Sequence, residues 1–166
     1  LSKTVDGIEV DVRISKDGVL FLYQGDTLEE YTNHSGLPER HDWSYLAQVK
    51  YKNAEEKLVK LDDFFAMVGN QKTIILDINP RKVSHNTIAY RLVDCIKQNQ
   101  MQDNVFVESF NPITLSAIRL YSRDIMLVYD FIDHTATFDG QSQEQFNEIP
   151  WLLRNHWVQK QVRRIV

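Results

Sequence analysis

Glu9 and Asp11 stand two residues apart in GIEVDVRI, and Asp77 closes the apolar run of TIILDINP. Side chains alternate faces along an extended strand. Glu9, Asp11 and Arg13 therefore share one face, and Ile8, Val10 and Val12 share the other. Two like charges cannot occupy a dry site without a proton or a cation. Arg13 is the only basic residue on their parity. Three carboxylates from two strand ends form an oxygen-rich set suited to Mg²⁺ or Ca²⁺. The plainer reading pairs each acid with a Lys or Arg, or places it as a loop cap. For Asp77 alone that reading is favoured; the crowding of Glu9 with Asp11 favours the cation.

The elements that must position these acids are legible in the hydrophobic pattern. Residues 8–12 read as the first strand and 19–23 as the second, with Lys16-Asp17-Gly18 as the turn between them. Residues 25–60 are polar, with little periodicity, and read as a long loop holding one short helix near 43–49. A short helix over 62–69 precedes an apolar strand over 73–78. Ser84 is a plausible cap for a helix reaching Asn99, with Ile88, Leu92, Cys95 and Ile96 at helical spacing. A strand over 105–110, a helix over 113–121, a strand over 125–131 and a basic amphipathic helix over 151–166 complete the order. Strands alternating with helices, several of them continuous apolar runs, imply an α/β fold with parallel βα units. Five strands fit an open doubly wound sheet or part of a barrel. In either, the C-terminal strand ends carry the site.

The chain has 166 residues, 43% hydrophobic and 25% charged, enough for one domain with a core of its own. A net charge of -4 implies no general attraction to nucleic acid. Cys95 is the only cysteine, so no internal disulfide forms and cysteine usage does not report the compartment. No apolar run reaches the length of a membrane span. The chain begins at Leu1, so its compartment is left open, the cytoplasm being favoured.

The stretch DGIEVDVRISKDGVLFLYQGDTLEEYTNHSG, residues 6–36, resembles the core of the glycerophosphodiester phosphodiesterases. Those enzymes carry Gly-Ile-Glu-x-Asp-Val, a Thr-Lys-Asp-Gly-type turn, a strand ending in His-Asp, then Asp-Thr-Leu and Thr-Asn-x-Ser-Gly. KLDDFFAMV, TIILDINP and VFVESFNPITLSAIR are similar to later family segments, in the family's order, and the resemblance covers residues 5–128. It implies a (β/α)8 barrel of the TIM type, partial or completed. Residues 1–166 would be a single domain lacking the family's first strand and its last ones, so that missing segments or an oligomer must close the barrel.

The resemblance also implies metal-dependent hydrolysis of glycerophosphodiesters to glycerol 3-phosphate and an alcohol. Glu9 and Asp11 match metal ligands, and Asp77 lies where the family has Glu. Gln24 and Gly25 stand at the family's His and Asp, and Asn79 at its Lys. The histidine of its His-Arg-Gly strand has no counterpart. Gln cannot exchange a proton near neutral pH. The expectation is an enzyme domain with impaired chemistry. The alternative is a catalytically dead relative that binds a phosphodiester, a lipid headgroup or a protein, and an unrelated metal-free binding domain ranks third. Asn79 and Ser109 are the expected substrate contacts. His34, in the loop after the second strand, is the weaker substitute base; a solvated loop histidine is its plainer reading. His41, His85, His134 and His156 show no ligand spacing. Trp43, Trp151 and Trp157 read as core or interface anchors. Arg154, Lys160, Arg163 and Arg164 on the last helix fit an outer barrel helix better than a membrane-surface one. Asn33-His34-Ser35 matches a glycosylation tripeptide common by chance.

Overall fold

The computed structural model describes residues 7–80 and 83–130. The last expected helix, with Trp151, His156, Trp157 and its four basic residues, lies outside them, and so does His134. Six strands form one sheet in the order β3-β2-β1-β4-β5-β6, open at both edges among the described residues. They are β1 (Gly7–Ile14), β2 (Leu20–Leu22), β3 (Val59–Lys60), β4 (Thr73–Asp77), β5 (Val105–Ser109) and β6 (Met126–Tyr129). The helices are α1 (Leu28–Tyr31), α2 (Trp43–Leu46), α3 (Leu61–Val68), α4 (His85–Gln98) and α5 (Pro112–Tyr121). β1, β4, β5 and β6 run parallel, joined by helical crossovers.

β2 departs from the all-parallel pattern. It pairs antiparallel with β1, and β3 pairs antiparallel with β2. The short connection Ser15–Val19 cannot make a crossover, which needs a dozen residues or more. It closes a hairpin instead: the Ser15 amide donates to the Val19 carbonyl at 2.9 Å, and Gly18 takes φ +87°. β3 was hidden in the sequence because two residues carry no period. The polar stretch before it also holds α1 and a 3-10 turn at Pro38–Arg40, both too short to show periodicity.

The face carrying Ile74, Leu76, Ile78, Val105 and Val107 packs against α3, α4 and α5 and forms the main core. A second cluster of Phe21, Tyr23, Leu28, Leu46, Val49 and Leu58 anchors the excursion between β2 and β3. Ser84 does sit at the N-cap of α4, but its side chain makes no capping bond. Asn111 caps α5, accepting from the Ile113 amide at 2.9 Å.

Candidate metal and phosphodiester site

β1 divides its pairing. Gly7–Asp11 pair with β4, and Val12, Arg13 and Ile14 pair with β2. Asp11 is thus the last β1 residue in the parallel part of the sheet, although the strand itself runs three residues further. The register sets Asp11 beside Asp77 and Asp77 beside Glu108. Glu9 lies one pleat back on the same face. Glu9, Asp11 and Asp77 each offer a carboxylate oxygen, all within 4.8 Å of one another. The expected convergence of three acids on one pole is therefore present.

The site is strongly negative. Burial is the main cause that lifts Asp77 to about 7, reinforced by the Asp11, Glu108, Glu9 and Asp130 carboxylates. Burial likewise lifts Asp11 to about 6, with Glu9 and Asp26 adding to the rise and Arg13 opposing it. Glu108 is raised by burial, then by Asp130 and Glu9. Among the described residues, no Lys or Arg forms an ion pair with Glu9, Asp11 or Asp77. Arg13, the one basic residue on their parity, turns instead to Glu39 and to the Gly25 carbonyl. A crowded set of hard carboxylate oxygens, with no ion-paired Lys or Arg among the described residues, fits a divalent cation such as Mg²⁺ or Ca²⁺.

The remaining expected residues take varied places. Asn79 Nδ2 donates to both oxygens of Asp77, at 2.8 and 2.9 Å, so it fixes the orientation of that carboxylate within the cluster. Ser109 has no exposed surface. Its hydroxyl donates to the Ile78 carbonyl at 2.6 Å and accepts from the Asn111 amide. That hydroxyl locks the ends of β4 and β5 together. Gln24 is exposed and follows Tyr23, whose amide donates to the Asp11 carbonyl at 3.1 Å. The chain leaving β2 therefore starts beside the cluster. His34 is not part of the cluster; its Nδ1 lies 2.8 Å from Tyr45 Oη and its ring stands edge-on to that tyrosine. Glu108, Asp26 and Glu39 were missed from the sequence. Glu108 had a signal, an acid interrupting the apolar run VFVES; Glu39 sits in a polar loop and had none.

The family model of the glycerophosphoryl diester phosphodiesterases matches residues 1–165. The chain belongs to this family. A glycerophosphodiester phosphodiesterase of Caldanaerobacter subterraneus subsp. tengcongensis is 27% identical over 121 residues, covering 69% of this chain and 50% of the relative. The chain thus spans about half the length of that curated relative. An Oleispira antarctica phosphodiesterase, solved in complex with the product sn-glycerol-3-phosphate, superposes with a TM-score of 0.72 at 20% identity, covering 87% of this chain and 60% of the other. A putative glycerophosphodiester phosphodiesterase from Galdieria sulphuraria gives a TM-score of 0.69 at 19% identity, covering 89% and 61%. These likenesses establish the fold, a set of parallel βα units of the TIM-barrel kind with an unclosed sheet among the described residues.

Proposed function

We propose that the site binds a glycerophosphodiester, free or as a lipid headgroup, through Mg²⁺ or Ca²⁺ held by Glu9, Asp11 and Asp77. The convergence of these three carboxylates carries the reading. Family membership and the product found in the Oleispira antarctica phosphodiesterase support the substrate class. A divalent cation in such a site neutralises charge on phosphoryl oxygens. The chain's own residues do the rest. Glu9, Asp11 and Asp77 hold the ion, and Asn79 keeps Asp77 aimed at it. The Gln24 amide donates a hydrogen bond to a phosphoryl oxygen.

Hydrolysis to glycerol 3-phosphate and an alcohol is the family reaction, and in this chain it is impaired. Gln24 neither supplies nor takes up the proton that cleavage requires. General acid–base catalysis contributes about 10²–10⁴-fold, and that factor is lost. A binding module without turnover is the second reading, and the crowding at Gly25 described below favours it. The test is release of glycerol 3-phosphate from glycerophosphocholine with Mg²⁺ or Ca²⁺. Little or no release is expected. Gln24→His alone should recover almost none, because groups that act as a unit are not repaired singly. Robust turnover by the unmodified chain, abolished by Glu9→Ala, would overturn the impairment and direct attention to His34.

A further inference from the structure

We propose that Arg13 is the positioning residue that holds the segment Gln24, Gly25 and Asp26 against the carboxylate cluster, and that binding of a phosphate-bearing ligand depends on this hold. The proposal rests on the phosphodiester reading of the site. Arg13 is 5% exposed and lies on the face of β1 that carries Glu9 and Asp11. Its charge is close enough to lower Asp11, yet its N–H groups are turned elsewhere. Nη1 donates to the Gly25 carbonyl at 2.8 Å, and Nη2 reaches the Asp26 carbonyl at 3.5 Å. Nε donates to Glu39 Oε1 at 2.6 Å. Arg13 is therefore not the counter-ion of the cluster. It ties β1 to the chain leaving β2 and to the 3-10 turn at Pro38–Arg40.

The held segment is fixed on its other sides as well. Tyr23 N donates to the Asp11 carbonyl at its start. Glu30 Oε1 accepts from the Asp26 and Thr27 amides, each at 2.8 Å, at its end. Gly25 lies so close to Tyr23 and Tyr31 that a Cβ would stand 2.9 to 3.0 Å from their atoms. Among the described residues, buried Glu39 Oε2 has no hydrogen-bond partner, and Arg13 is the cation that meets this carboxylate through Oε1. A guanidinium serves two carbonyls and a carboxylate at once because its five donors form a rigid fork; a lysine ammonium cannot span that set. Gln24 sits at the head of the held segment, and its placement follows from the grip.

The experiment uses the full 166-residue chain. Calorimetry measures Mg²⁺ binding, then sn-glycerol 3-phosphate binding with Mg²⁺ present, for wild type, Arg13→Lys, Gln24→Ala and the double variant. Arg13→Lys keeps the charge and is expected to weaken glycerol 3-phosphate binding by about tenfold or more while leaving Mg²⁺ affinity within about threefold. In the Gln24→Ala background, Arg13→Lys should cost nothing further, because it acts through the same segment. A merely structural role would lower the melting temperature without producing that coupling. If Arg13→Lys does not fold, Glu39→Gln releases the other end of the grip and should weaken glycerol 3-phosphate binding similarly. Unchanged glycerol 3-phosphate affinity, additive losses, or a collapse of Mg²⁺ binding would each overturn the proposal. A wild type that takes up Mg²⁺ but not glycerol 3-phosphate would overturn the phosphodiester reading itself, and this inference with it.

Discussion

At Gly25 the backbone passes under two tyrosines. An added Cβ would stand 2.9 Å from Tyr23 Cε1, 3.0 Å from its Oη and 3.0 Å from Tyr31 Cδ2. Tyr23 cannot yield easily, because its hydroxyl donates to the Thr27 carbonyl at 2.8 Å. The family resemblance puts an aspartate at this position, and here the space for one is filled. Gly25→Ala should therefore destabilise the chain by about 1–3 kcal/mol through overpacking. Adding Tyr31→Ala should recover part of that loss, since Tyr31 is exposed and makes the contact from the solvent side. Chemical denaturation of the two variants and the double checks this; equal stability of Gly25→Ala and wild type would contradict the packing.

The β5–α5 junction shows how a site edge is built from local bonds. Ser109 closes β5 by donating to the Ile78 carbonyl, and Asn111 then caps α5 through the Ile113 amide. Pro112 occupies the first turn of the helix, where its missing N–H costs nothing. Asn111→Ala should cost about 1 kcal/mol of stability. Mg²⁺ affinity should be unchanged, because Glu9, Asp11 and Asp77 stand on other strands. A melting curve and a Mg²⁺ titration of this variant test both halves; no loss of stability would mean that the cap bond contributes nothing.

Over the whole molecule, burying and crowding these acids costs stability, and the proposed cation would offset that cost. Asp11 and Asp77 are raised from 3.8 to about 6 and about 7. The folded chain therefore binds more protons than the unfolded chain through that window. Stability from these two groups is greatest at the acid end and falls as pH rises from about 4 to 7. Above it both acids are ionised at the full cost of their burial and mutual repulsion, and a divalent cation that bound only the folded state would offset that cost. In EDTA, Asp77→Asn should become more stable than wild type with rising pH, by about 1–3 kcal/mol at pH 8. Adding Mg²⁺ at pH 8 should raise the melting temperature of wild type and not of the variant. A difference between the two chains that does not change with pH would refute the electrostatic account.

Much of this is local and therefore legible without coordinates. Period-two alternation sets Glu9 and Asp11 on one face, and continuous apolar runs mark β4, β5 and β6 with the helices between them. The Lys16-Asp17-Gly18 turn is visible from its residues, although the antiparallel direction it imposes follows only from its shortness. What tertiary structure alone decides is which distant groups meet. The register of three parallel strands brings Asp11, Asp77 and Glu108 side by side. The choice of Arg13 between Asp11, two residues away, and Glu39, 26 residues away, goes to the distant partner. No pattern in the chain encodes that choice. It depends on where the excursion after β2 folds back, and its consequence is an acid cluster that has no ion-paired Lys or Arg among the described residues.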